Sequence, residues 1–213
     1  MKVALVNPPY PKSAHQHPPF ISLGIGYLGA IAERDGHEVT VIDCQGERLS
    51  HEAFRHRLEK VDPDVVGITS ATLTYKSALK IAEIAKEVCP SCVTILGGCH
   101  ATFWDFNALN ECRSLDIIVR KEGELTFSEL LKKLEHKERI DNVQGITFRK
   151  RDKIVRNEDR QYIENLDDLP FPAHHLFNLR SYVKVGKVII PVMTSRGCVY
   201  WCDFCTAVRK FGR

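Results

Sequence analysis

The sequence predicts an α/β protein built on a doubly wound parallel sheet. Three observations carry that prediction. Five short apolar runs recur within residues 1–140, five helical segments follow them in turn, and the runs end in loops rich in Gly, Pro, Ser, Thr or Asn. Strands and helices in strict alternation form parallel sheets, because each parallel strand needs a crossover helix.

Lys2 to Val6 is the first apolar run, short enough for a buried strand. It ends in Asn7-Pro8-Pro9-Tyr10-Pro11, and a polar, histidine-containing stretch continues to Pro18-Pro19. Leu23 to Arg34 reads as a helix, yet it holds Gly24, Gly26 and Gly29. Glycines weaken a helix, so they imply close approach of another backbone or a bulky ligand. Glu38 to Asp43 is the second strand, after the turn Asp35-Gly36-His37. Ser50 caps a polar helix reaching Lys60. Asp64 to Thr69 is strand three, Ser70 to Thr74 a hydroxyl-rich loop, and Tyr75 to Val88 a helix. Cys92 to Leu96 is strand four, closed by Gly97-Gly98-Cys99-His100. A short helix around Trp104 to Asn110, strand five at Leu115 to Val119 and an amphipathic helix at Thr126 to His136 complete the unit.

The first domain therefore spans 1–140. Residues 141–187 read as a linker with a hairpin, Gly145–Phe148 and Lys153–Arg156 around Arg151-Asp152, then an extended segment with Pro170-Phe171-Pro172. Residues 188–213 begin a further, incomplete domain. Its apolar run Val188 to Met193 is expected as a strand leading to a cysteine loop.

Composition excludes several classes. Net charge is +3 with 44% hydrophobic residues, and the basic residues are dispersed, which argues against nucleic-acid binding. The isoelectric point is about 8.4. The first apolar run is too short for a signal peptide, and no run reaches the ~20 residues of a membrane span. Eight cysteines without a secretion signal point to a reducing cytoplasm and to metal use rather than disulfides.

The chemistry concentrates in Ser195-Arg196-Gly197-Cys198-Val199-Tyr200-Trp201-Cys202-Asp203-Phe204-Cys205. Cys198, Cys202 and Cys205 follow the spacing C-x3-C-x2-C. Three thiolates this close can converge on one iron–sulfur cluster, leaving one iron of a [4Fe-4S] cluster open for a bound molecule. A structural zinc site would need a fourth ligand, and the nearest histidines, His174 and His175, lie more than twenty residues upstream in the linker. Cys89-Pro90-Ser91-Cys92 mimics a C-x2-C pair but has no second pair, so both cysteines read as structural. Cys44, Cys99 and Cys112 read as free thiols.

The cysteine triad, with Phe204 before its last member, resembles the signature of radical S-adenosylmethionine (SAM) enzymes. That resemblance implies a cluster held by Cys198, Cys202 and Cys205, with SAM chelating the open iron, Phe204 beside the cofactor, and Tyr200 and Trp201 shielding it. Upstream, Asn7-Pro8-Pro9, Leu23-Gly24-Ile25-Gly26-Tyr27-Leu28, Gly36-His37-Glu38-Val39, Gly67-Ile68-Thr69-Ser70, Gly97-Gly98-Cys99-His100, Glu122-Gly123-Glu124 and Leu166-Asp167-Asp168-Leu169-Pro170-Phe171-Pro172 resemble, in order, the B12-binding domain of one radical SAM subfamily. The implied fold is a Rossmann-like sheet of the cobalamin-binding type, followed by the linker and the first strand of a truncated radical SAM barrel.

In such domains the nucleotide tail of the corrinoid runs beside a Ser-x-Leu segment and a Gly-Gly turn. Ser70, Gly97 and Gly98 fall at those places, with Thr72 where the leucine would be; a tight turn and a hydroxyl cap fit the same residues. Asn7, Tyr10 and His100 lie on loops that could meet the corrin. Glu122 and Glu124 read as caps on the positive end of the following helix. Cobalt-ligating domains carry Asp-x-His-x-x-Gly; Asp43-Cys44-Gln45-Gly46-Glu47 has no such histidine, so a bound cobalamin is expected without a histidine lower ligand.

The resemblance implies methyl transfer to an unactivated carbon. One SAM methylates Co(I), a second yields a 5'-deoxyadenosyl radical, and the substrate radical takes the methyl group from methylcobalamin. Expected partners are a small-molecule or lipid or natural-product substrate and an electron donor such as ferredoxin or flavodoxin. A radical SAM oxidative cyclase or rearrangement enzyme and a non-catalytic Rossmann-like interaction domain are the alternatives. With one barrel strand, the 213 residues alone are expected to bind corrinoid and to show no turnover.

Overall fold

The computed structural model describes residues 1–11, 20–184 and 187–212. The polar stretch anticipated between Pro11 and Pro19 thus lies largely outside the described residues. In chain order the elements are β1 (Lys2–Asn7), α1 (Leu23–Arg34), β2 (Glu38–Asp43), α2 (His51–Val61), β3 (Val65–Thr69), α3 (Tyr75–Val88), β4 (Val93–Gly97), α4 (Cys99–Phe103), α5 (Asp105–Glu111), β5 (Ile117–Val119), α6 (Glu124–Glu135), β6 (Ile146–Lys150), β7 (Lys153–Arg156), β8 (Val183–Lys184), β9 (Lys187–Val188) and α7 (Ala207–Phe211). The strands and long helices expected within residues 1–140 are present. Ser50 caps α2 as expected, its Oγ accepting the Ala53 N–H at 3.2 Å.

The main sheet has seven strands in the order β2-β1-β3-β4-β5-β6-β7. β1 to β5 are parallel. Val3, Ala4, Leu5 and Val6 are all buried, as a strand covered on both faces requires. One core cluster includes Phe54 and Leu58 of α2 with Ala78, Ile81 and Ala85 of α3. The other includes Ile25 of α1 and Phe127, Leu130 and Leu131 of α6. The helices therefore cover both faces, the doubly wound arrangement.

The hairpin departs from expectation. It does not stand apart in a linker: β6 pairs antiparallel with β5, and β7 with β6. A buried guanidinium pins it there. Arg120, just past β5, donates to Thr147 Oγ1 of β6 at 2.6 Å, to the Asn157 carbonyl at 2.7 Å and to Asp159 Oδ1. Asp105 at the start of α5 accepts from Thr147 and from Arg156 of β7.

Residues 165–182 also depart from an extended linker. They form a strap of short 3-10 turns, with Ala173, Phe177 and Tyr182 buried. The strap crosses α1, and Ala173 N–H donates to the Gly26 carbonyl at 2.9 Å. A Cβ on Gly26 would sit 3.0 Å from Pro172 Cβ, and one on Gly29 2.8 Å from Leu176 Cδ1. Gly26 answers to the close approach of the strap's backbone at Pro172 and Ala173, and Gly29 to that of the Leu176 side chain. At the far end Tyr182 donates its hydroxyl to Asp43, tying the strap to the end of β2.

Beyond the strap, β8 and β9 pair antiparallel in a separate two-stranded sheet. The run Val188 to Met193, expected as a strand, enters a ladder only at Val188, and Ile189, Ile190 and Val192 are exposed. Among the described residues no further strand lies beside it to satisfy its backbone. No described helix is long and apolar enough to cross a membrane.

Candidate functional site

The order β2-β1-β3 reverses the direction of winding between β1 and β3, and in open α/β sheets ligands bind at the carboxyl ends of the strands beside such a reversal. A cavity of about 200 Å³ lies there. Its floor is sheet: Leu5 of β1, Gly67 to Thr69 of β3, Ile95 and Gly97 of β4, and Val119 of β5. One wall is α1, through Gly24, Ile25, Tyr27 and Leu28. Phe127 of α6 and the turn Lys121–Glu124 form another.

Glycine makes this space. A Cβ on Gly24 would meet nothing within 4 Å, and one on Gly97 only the Val119 carbonyl, at 3.7 Å. Gly98 serves differently. Its φ is 96° and ψ −176°, a region open in practice to glycine alone. A Cβ there would fall 2.5 Å from the Ser70 carbonyl oxygen and 2.7 Å from Ser70 N. This tight crossing joins the loops after β3 and β4: Ser70 N–H donates to the Gly97 carbonyl at 2.8 Å, and His100 N–H to the Ser70 carbonyl at 3.2 Å.

The roof comes from the end of the chain, through Met193, Arg196, Lys210 and Phe211. Arg196 is its anchor. Its Nη1 donates to Glu122 Oε1 at 2.9 Å and its Nη2 to Glu124 Oε1 at 2.5 Å. All three side chains are 6–7% exposed. The guanidinium also lies over the Tyr27 ring, 5.1 Å from its centroid. Burial alone would lower its pKa; the paired carboxylates more than offset this and raise it. The sequence reads Glu122 and Glu124 as helix caps. Glu124 does open α6, but the helix has no side-chain cap bond; both carboxylates are committed to Arg196, and Glu122 Oε2 accepts from Ile163 N–H.

Of the residues singled out for a corrinoid, Gly97 and Gly98 line the cavity. Ser70 lies beside it with its hydroxyl on the Gly97 carbonyl at 3.0 Å. Thr72 and His100 pair with each other, Oγ1 to Nδ1 at 3.3 Å, and His100 packs on the Tyr75 ring at 4.1 Å, outside the cavity lining. Burial lowers the His100 pKa. Asn7 is buried and donates to Asp43 Oδ1 at 2.8 Å. Tyr10 is exposed. Asp43 accepts in addition from the backbone N–H groups of Gln45 and Gly46 and from Tyr182. Its role is to lock loops together.

The cysteine loop is less gathered. Cys202 is exposed, Cys198 and Cys205 are half-buried, and Phe204 is 91% exposed. Cys205 N–H closes a turn on the Cys202 carbonyl at 3.0 Å, and Cys198 N–H donates to the Gly212 carbonyl at 3.3 Å. Among the described residues no three His, Cys, Asp or Glu side chains are grouped to hold a metal ion. The three thiols, as folded, are not a closed ligand set. All eight cysteines are free; Cys44, Cys89, Cys92 and Cys112 are buried, and Cys99 is exposed, its Sγ 3.1 Å from Lys210 Nζ.

Residues 15–131, more than half of the chain, match the B12 binding domain family model. An uncharacterized methyltransferase of Pyrococcus horikoshii is 34% identical over 218 residues, covering 100% of this chain and 47% of the relative. An anaerobic magnesium-protoporphyrin IX monomethyl ester cyclase of Cereibacter sphaeroides is 32% identical, covering 97% of this chain and 35% of the relative. The chain thus spans half or less of the length of these relatives. The cobalamin-dependent SAM radical enzyme OxsB, solved with aqua-cobalamin and SAM bound, superposes with a TM-score of 0.81 at 23% identity, over 99% of this chain and 29% of that one. The fold is therefore that of the cobalamin-binding sheet, and the chain belongs to the B12-binding domain family, as its resemblance to radical SAM enzymes carrying that domain implied.

Proposed function

We propose that this chain binds a corrinoid as the N-terminal part of a cobalamin-dependent radical SAM enzyme that transfers a methyl group to an unactivated carbon. The carrying observation is the glycine-floored cavity at the carboxyl ends of β1, β3, β4 and β5. At about 200 Å³ it falls below the ~300–1,000 Å³ of a whole small-molecule site. It would suit the slim aromatic end of a nucleotide tail, and Tyr10 and Thr72, on loops outside the lining, would be available to the rest of the corrinoid. Leu5, Ile25, Ile95 and Val119 would keep water from the tail. Asp43 is saturated by its own neighbours and no histidine follows it, which supports binding without a histidine lower ligand. When bound, cobalamin supplies a transferable methyl group that no side chain offers.

In this reading Cys198, Cys202 and Cys205 are the ligands of a [4Fe-4S] cluster that binds SAM, an assignment supported by their spacing. Residues 188–212 then begin the catalytic part. The substrate is a small molecule or lipid, an electron donor of ferredoxin or flavodoxin type completes the system, and the setting is cytoplasmic. The test is retention of hydroxocobalamin: the chain is mixed with it, desalted, and its absorbance read. Near-stoichiometric corrin bands are expected; none would leave a non-catalytic interaction domain. The cyclase relative at 32% identity favours a second reading, oxidative cyclisation. In the protein of full family length the product mass decides, a gain of one methyl group against none.

A further inference from the structure

The cysteine loop and the cavity are joined through one ion triad. Gly123, between Glu122 and Glu124, lines the cavity. Arg196, held by both glutamates, lies two residues before Cys198 and roofs the same cavity. Tyr27 of the opposite wall backs the guanidinium. Glu122 reaches past the triad to Ile163, so the strap approach and the cysteine lead-in meet at one turn. Two carboxylates and one guanidinium, all more than nine-tenths buried, are expensive to hold unless mutually paired. Lifting the loop would take from both carboxylates the guanidinium that pairs them.

We propose that Arg196 is a positioning residue that couples occupancy of the cavity to placement of the cysteine loop. The proposal rests on the corrinoid reading for its ligand, while the pinning of the loop stands on geometry alone. A ligand under the roof adds contacts to Met193 and Phe211 that exist only with the loop docked, so by linkage each stabilises the other, typically 5- to 150-fold for such coupling.

The experiment is deuterium exchange of residues 193–205, with and without hydroxocobalamin, in the wild-type chain and in R196A, R196K and E124Q. In the wild type, exchange at 193–205 is expected to slow on adding cobalamin. In R196A it is expected to be fast both ways, with exchange in β1 to β5 unchanged and cobalamin retention down about 10- to 100-fold. Arg196→Lys keeps one charge but not the two-pronged grip, so partial rescue of both readouts is expected. Should R196A unfold, E124Q keeps the volume and removes one charge, and its faster exchange at 193–205 is the deciding value. Wild-type exchange rates at 193–205 in R196A or E124Q would overturn the proposal. A wild-type chain that takes up no cobalamin would refute the corrinoid reading and the coupling; the faster exchange of unliganded R196A would still report the pinning.

Discussion

Gly97 and Gly98 are adjacent, yet alanine at each should do opposite things. At Gly98 the new Cβ enters a backbone region that costs a non-glycine residue about 1–3 kcal/mol. It also lies 2.5 Å and 2.7 Å from backbone atoms of Ser70, which cannot swing aside as a side chain would. Relief means pulling the two loops apart, which opens the Ser70–Gly97 and His100–Ser70 bonds at about 0.5–1.5 kcal/mol each. The sum is about 2–6 kcal/mol. For a chain of this size each kcal/mol moves Tm by about 2–4 °C, so Gly98→Ala should lower Tm by on the order of 10 °C in a thermal scan by circular dichroism. At Gly97 the Cβ meets ordinary contact distance and φ is not positive, so Gly97→Ala should keep Tm within a few degrees. Its methyl occupies the cavity instead. Overpacking a filled site costs about 1–3 kcal/mol, or about 5- to 150-fold in hydroxocobalamin affinity. A Gly98→Ala chain as stable as the wild type would refute the strain reasoning, and wild-type affinity in Gly97→Ala would remove the ligand from the cavity.

Native alkylation at pH 8 should divide the cysteines by burial. Burial first, then the Asp43 charge, pushes the Cys44 thiol up to about 12, and burial pushes Cys92 up to about 11; peptide mass spectrometry should find Cys99 and Cys202 labelled first, and early labelling of Cys44 would contradict its packing. Stability should fall as the pH drops through 6.5, because burial lowers the pKa of His37, His51 and His100 and the unfolded chain takes up those protons first. The loss is complete below the folded pKa values; urea titrations from pH 7.5 to 5.5 should show it, and His37→Asn should reduce the slope.

Strand and helix were legible where the information is local. Apolar runs of four to six residues between turn residues are strands whichever partner they find, and the Ser50 hydroxyl caps from three residues away. The glycines of α1 were readable as a demand for space, and the structure divides it: Gly26 and Gly29 serve the strap, Gly24 the cavity. What stayed hidden depends on pairing at long range. Nothing in Gly145 to Arg156 says that its partner is β5, since the pin is Arg120, buried and bound to four residues in three separate segments. Glu122 and Glu124 carried a sufficient local explanation as helix-start acids, and their true partner lies more than 70 residues on. The signal that could have found it is the charge match between the Glu-Gly-Glu turn and the one arginine of the cysteine lead-in. The direction of the His100 ring was not legible, because a position after a Gly-Gly turn does not say which way a ring points; the ring packs on Tyr75.

The roof has a consequence for the order of events during synthesis. Arg196 follows Glu124 by 72 residues, roughly 4–14 s of translation at ~5–20 residues per second. In that interval the sheet, α1 and α6 have been made, and the space above Gly97 is an open cleft. On the proposed corrinoid reading, the slim end of a nucleotide tail would enter it sideways then. Once the last segment arrives and Arg196 closes on its two glutamates, the same ligand must wait for the loop to lift. On the proposed corrinoid reading, loading would be fastest before residues 193–211 arrive, and release from the finished chain would wait on the pairing of Arg196 with Glu122 and Glu124.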